Sequence, residues 1–214
     1  MKKIFLLLLF FACLFGASAS SDYYSKNFCF GISFPFVNNN YFLENSDSVK
    51  LDAIGINLNY RRMKDTMKIG LFLDADIFMP YTKTLIIDEK TQTTTKLSDY
   101  EYFFGTDVIA GIYGVLFHDD SISLPVGIGL HLDGYISKQK YENIIIKESV
   151  YTVGIGGWLN FEVDVSRKFG VYFGSKLIYD FYYKLNNRAT LTTVQDGKCK
   201  GFTFIPAVGL VWHF

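Results

Sequence analysis

The chain has 214 residues, with 21 basic and 21 acidic side chains and a formal net charge of zero. That balance excludes a strongly basic nucleic-acid binder and a strongly acidic solvated tail. No Pro/Gly/Ser-rich linker divides the chain into two domains. Aromatic residues make up 18% of it, with 15 Tyr and 21 Phe against four prolines. A soluble domain would struggle to hide so many rings, whereas a membrane wall with aromatic girdles uses them.

Residues 1–19 read as a signal peptide. Lys2 and Lys3 form a positive start, Ile4 to Phe15 an apolar run, and Ala17-Ser18-Ala19 a small-residue cleavage site. The run is too short for a comfortable membrane-spanning helix. Residues 20–214 are then expected to form one barrel domain. Cys13 offers a second reading, an acylated lipoprotein cysteine, but with a short signal and Phe10 and Phe11 directly ahead of it. After cleavage Cys29 and Cys199 remain. The topology below puts them at opposite ends of a wall roughly 25 Å tall, so two unpaired thiols are expected.

From there the chain alternates with period two, the pattern of strands with one apolar face. Phe28, Phe30, Ile32 and Phe34 interleave with Cys29, Gly31 and Ser33; Ile54, Ile56, Leu58 and Tyr60 with Gly55, Asn57, Asn59 and Arg61. A third run sets Ile69, Leu71, Leu73 and Ile77 against Lys68, Asp74 and Asp76. The same alternation covers 102–116, 122–133, 151–165, 169–181 and 202–214. These are eight candidate strands of the length that a tilted membrane strand requires. The connections alternate too. Arg61 to Thr66, His118 to Ser121 and Ser166 to Lys168 are short, whereas Val37 to Ser48, Pro80 to Asp99, Ser137 to Glu148 and Lys184 to Lys200 are long and polar. The expected fold is all-β: an eight-stranded antiparallel up-and-down transmembrane barrel with short inner turns and long outer loops.

Volume decides which face is inside. An eight-stranded barrel has an interior only just wide enough for side chains to fill. The apolar face carries several Phe, Leu, Ile and Val per strand, too much for that space, while the other face is rich in glycine. The apolar face therefore points outward into lipid, and a soluble lipocalin-like barrel is disfavoured. Rings at the strand ends agree with two interfacial girdles. Tyr102, Phe104, Tyr151, Tyr179, Phe181, Tyr183, Phe202 and Phe204 fall toward the long loops; Tyr60, Phe169, Trp212 and Phe214 fall toward the short turns.

Carrying the alternation through puts Asp52, Asp74, Asp76, Asp107, Asp133, Glu162, Asp164 and Asp180 on the inner face, with Lys50, Arg61, Lys68, Lys176, His131 and His213. The cluster Asp74, Asp76, Asp107, His131, Asp133, Lys176 and Asp180 is the candidate lumen site. Two readings stay open. Buried charges must be paired, so the set reads as a ladder of ion pairs that plugs the barrel. Its excess of acids also suits a narrow cation conduit or a weak metal site. Catalysis is the weakest class. The chain has three histidines, none in a long outer loop, and so small a barrel leaves little room for a cleft. No zinc, phosphate-loop or dinucleotide motif occurs, so no cofactor is expected.

The last residues, Val208-Gly209-Leu210-Val211-Trp212-His213-Phe214, end in a C-terminal Phe with apolar residues at alternating positions. This ending resembles the signal that outer-membrane barrels present to their assembly machinery, and the termini of small OmpX/OmpW/OmpA-type barrels. Trp212 and His213 stand where Tyr and Arg are common in that group, which leaves the branch undecided. The resemblance implies an outer-membrane location, Trp212 and Phe214 as the assembly signal, and lipid and the assembly machinery as partners. It also implies a role in adhesion, immune evasion, membrane integrity or passage of small apolar molecules. An extracellular ligand is expected at the outer loops, which include the polar run Thr91 to Thr95, and no nucleic acid.

Overall fold

The computed structural model describes residues 26–41, 48–63, 69–87, 91–141, 144–188 and 192–214. The signal-peptide segment and Lys68 lie outside the described residues. The strands are β1 (Lys26–Ser33), β2 (Phe36–Tyr41), β3 (Ser48–Met63), β4 (Gly70–Ile87), β5 (Thr91–Lys96), β6 (Tyr100–Asp119), β7 (Ile122–Tyr141), β8 (Ile144–Ser166), β9 (Phe169–Arg188) and β10 (Thr192–His213). All pair antiparallel in a single sheet of ten strands, and β1 pairs with β10, closing the ring.

The wall has eight staves because β1 and β2 are one stave interrupted at Pro35. Proline has no N–H to donate to the ladder. Pairing nevertheless continues across the break: Phe34 N–H donates to the Pro206 carbonyl (2.9 Å) and Ala53 N–H to the Pro35 carbonyl (2.9 Å). β5 is not a stave; it folds back on the outer half of β4.

Phe28, Phe30, Ile54, Ile56, Phe161 and Phe173 lie exposed on the outer face, and Leu71 and Leu130 are 67% and 69% exposed. A barrel in water could not leave such a belt uncovered. Facing lipid, it costs nothing, and closure satisfies the backbone without an edge. At the closing seam Gly31 pairs with Gly209, and the Tyr172 hydroxyl lies over Gly31. A Cβ at Gly31 would overlap that hydroxyl and the Val208 carbonyl, whereas one at Gly157 would meet nothing nearer than a backbone oxygen at 4.0 Å. Gly31→Val is therefore expected to lose the heat-modifiable folded band on gels, and Gly157→Val to keep it.

The outer connections differ from the expected loops. β7 continues to Tyr141 and β8 starts at Ile144; β9 runs to Arg188 and β10 starts at Thr192; β4 reaches Ile87 and turns into β5. β8 alone has 23 residues, about twice what the hydrocarbon layer needs. The surplus lies at one end, because at the other end β6–β7 and β8–β9 are joined by tight turns. The expected long loops are thus mostly paired strand. Alternation did not mark them, because beyond the apolar belt neither face must be apolar, while their Ile and Thr content still favours strand.

Three inside–outside assignments also change. β3 keeps strict alternation through Val49 and Leu51, which are buried inside, so Lys50 and Asp52 face outward with Ile54. Asp52 accepts a bond from Thr82 Oγ1 (3.0 Å). Tyr183 is buried in the interior instead of joining the girdle. A bulge in β9 between Asp180 and Tyr182 adds one residue, so Phe181 and Tyr182 both face out and parity inverts beyond them.

Candidate functional site in the barrel interior

The seven residues of the expected lumen cluster are all buried. β4 supplies Asp74 and Asp76, β6 supplies Asp107, β7 supplies His131 and Asp133, and β9 supplies Lys176 and Asp180. Spacing of two along a strand puts each pair on the same face, and closure brings β9 opposite β4.

Lys176 is the hub. Its ammonium lies 2.8 Å from Asp74 Oδ1 and 2.7 Å from Asp107 Oδ1, and it also bonds Asp76. His131 bridges two carboxylates, with Nε2 at 2.6 Å from Asp107 Oδ2 and Nδ1 at 2.7 Å from Asp180 Oδ1. Acceptors on both ring nitrogens suit the doubly protonated ring. Neutral amides complete this layer. Asn57 Nδ2 donates to Asp74 (2.8 Å) and Asp76 (3.2 Å), Asn59 Nδ2 to Asp74 (2.8 Å), and the Tyr172 hydroxyl to Asn57 (2.8 Å). Asp133 stands apart: its Oδ1 has no hydrogen-bond partner among the described residues.

A second polar group lies toward the short turns. Arg61 pairs with Glu162 at 2.5 Å, and Ser123 and Asn160 also donate to that carboxylate (3.2 and 3.3 Å). The guanidinium sits 5.3 Å from the Trp158 ring centre and 5.9 Å from that of Tyr113. At the end of the barrel His213 bonds Asn27 Oδ1 (2.5 Å) and Asp164 Oδ1 (2.7 Å). Cys29 and Cys199 are unpaired and buried.

Two apolar layers bracket the Lys176 network. Met63, Phe72, Ile109, Tyr113, Val115 and Trp158 pack toward the short turns. Val37, Leu51, Phe103, Tyr135, Val150 and Tyr183 pack toward the outer end. Above this outer layer a cavity of about 210 Å³ is lined by Lys83, Thr95, Tyr100, Gln139 and Glu148, among others. Lys83 bonds Glu148 (2.6 Å), which also accepts from the Tyr135 hydroxyl (2.6 Å).

Inner-face parity on the sequence put the lumen acids, Lys176, Arg61 and Glu162 inside as a ladder of charges without saying which meets which, and gave Trp158 and Tyr172 no role. These residues act in pairs across the barrel, at separations such as 101 and 115 residues, which periodicity within one strand does not reveal. Both His131 nitrogens are engaged and the ring is fully buried, so it offers no open nitrogen to a substrate. Among the described residues no three His, Cys, Asp or Glu side chains gather as metal ligands.

A closed antiparallel barrel of eight staves, apolar outside and charged within, is the fold of the small outer-membrane β-barrels. No family model matches the chain, and no curated protein matches it in sequence. Among solved structures, Neisserial surface protein A (NspA) matches with a TM-score of 0.51 at 13% identity, over 87% of this chain and 97% of that one. The outer membrane protein AlkL, solved in DMPC lipid bilayers, matches with a TM-score of 0.52 at 12% identity, over 92% and 93%. Ail, the attachment invasion locus protein of Yersinia pestis, matches at 0.46 and 12%, over 87% and 97%. For NspA and AlkL, at these identities, the likeness is one of fold.

Proposed function

We propose that the chain is exported and inserted in the outer membrane as a sealed barrel. In this reading it is not an enzyme, and its role is surface interaction, presented by the strand extensions at the outer end. Lipid is its partner around the apolar belt, and Trp212 and Phe214 offer the last strand to the assembly machinery. The observation that carries the reading is the filled lumen: a network of buried ion pairs lies between two apolar layers. A solute would have to part both layers and break buried ion pairs. The paired strands beyond the belt give an extracellular ligand a surface, with the cup around Lys83 and Glu148 on the side of β4 to β8.

The test is planar-bilayer recording of the refolded protein, after heat-modifiable migration confirms that it is folded. Insertion without steady conductance is expected. A steady cation-selective conductance that falls in Asp74→Asn or Asp133→Asn would instead establish a conduit and overturn the sealed-barrel reading.

A further inference from the structure

The Lys176 network uses up only part of the buried acid. Asp74, Asp76 and Asp107 share the ammonium, and Asp107 and Asp180 share His131. Toward the outer end of this layer stands a group of oxygens with no hydrogen-bond partner among the described residues: Asp133 Oδ1, Asp180 Oδ2, Thr152 Oγ1, Thr203 Oγ1 and Asn39 Oδ1. All five residues are more than nine-tenths buried.

The register sets them on five consecutive staves, β7, β8, β9, β10 and β2. Asp133 pairs with Thr152 across β7 and β8, and Asp180 pairs with Gly201 across β9 and β10. Gly201 pairs with Asn39 of β2, and Thr203 is two residues further on the same face of β10. The missing side chain at Gly201 makes room: a Cβ there would overlap Asn39 Oδ1 and crowd Asp180. Asp133 and His131 are two residues apart on one face of β7, and His131 holds the other oxygen of Asp180.

Carboxylate and amide oxygens only accept and each threonine hydroxyl can donate one proton, so three acceptors face two donors and a further donor or a cation is needed. Leaving such groups unsatisfied, or an ionised carboxylate unpaired, is costly in a buried site. The charge points the same way, since among the described residues five aspartates face only Lys176 and His131 in this layer. The ligands are hard oxygens without a thiolate or a free imidazole, which suits calcium-type rather than transition-metal coordination. We infer that Asp133, Asp180, Thr152, Thr203 and Asn39 form an interior site for one divalent, calcium-like cation, acquired as the barrel closes around it.

The full chain is refolded in chelator, in Ca²⁺ or in Mg²⁺, and freed of excess metal. Retained metal is counted by mass spectrometry and the unfolding midpoint is measured. The wild type is expected to retain close to one Ca²⁺ per chain, with a raised midpoint and a weaker effect of Mg²⁺. Asp133→Asn and Thr152→Val should each weaken retention at least tenfold. Thr152→Val preserves charge and volume, so it carries the test even where Asp133→Asn fails to fold. No retained Ca²⁺ in the folded wild type, or equal retention in wild type and Thr152→Val, would overturn the proposal.

Discussion

Lys176→Met is expected to be the most damaging single substitution in the interior. Methionine is about as long as the lysine stem and fills its space, so packing changes little and charge changes most. Asp74, Asp76 and Asp107 would be left facing one another with no ammonium between them. Removing one partner of a buried ion pair costs about 3–5 kcal/mol, and here one ammonium serves three carboxylates, so the upper end is expected. Total stabilities are on the order of 5–15 kcal/mol, so the variant should unfold at far lower urea or never give the heat-resistant band. Adding Asp74→Asn and Asp107→Asn removes the repulsion and should recover a large part of the loss. If Lys176→Met alone shifts stability by less than about 1 kcal/mol, the ammonium is not the centre of the network.

Arg61→Met is the second. It strips Glu162 of its counter-ion and leaves that carboxylate on Ser123 and Asn160. It also removes the cation held between Trp158 and Tyr113, an interaction of up to about 2 kcal/mol where desolvated. A loss of about 3–5 kcal/mol is expected. Glu162→Gln added to Arg61→Met should restore part of it, with a coupling of about 2 kcal/mol between the two positions. The chain has two tryptophans, Trp158 buried in the barrel and Trp212 exposed on its wall. With Trp212→Phe as background, the emission of Trp158 should change in Arg61→Met. Additive effects of the two substitutions would refute a direct pair.

Much of this architecture is legible from residue order, for a definite reason. Lipid demands an apolar side chain at every second position, so Phe28-Phe30-Ile32 and Leu71-Leu73 announce both the strand and its outward face. The same rule loses force outside the belt. Ile144, Ile145 and Ile146, and the threonines from Thr93 to Thr95, carry strand propensity without alternation, and they read as loop although they are paired. Parity also fails wherever a bulge intervenes, as at Phe181 and Tyr182, which turned Tyr183 inward. Lys50 and Asp52 are a different case, since unbroken alternation from Ile54 already puts them outside.

By itself, then, the sequence determined that this is a closed antiparallel barrel, that its apolar face is outside, and that Asp74, Asp76, Asp107, His131, Asp133, Lys176 and Asp180 point inward. Each of these follows from a local period of two and from the volume of the side chains. The tertiary structure alone decided which acid meets which base. Lys176 reaches Asp76 at a separation of 100 residues and Arg61 reaches Glu162 at 101, because ring closure and register set what lies across the lumen. It also decided that Asp133, Thr152, Asp180, Thr203 and Asn39, on five neighbouring staves, are buried with oxygens that have no hydrogen-bond partner among the described residues. Periodicity describes one strand at a time, whereas an interior site is assembled from strands whose relative heights only the hydrogen-bonded register specifies.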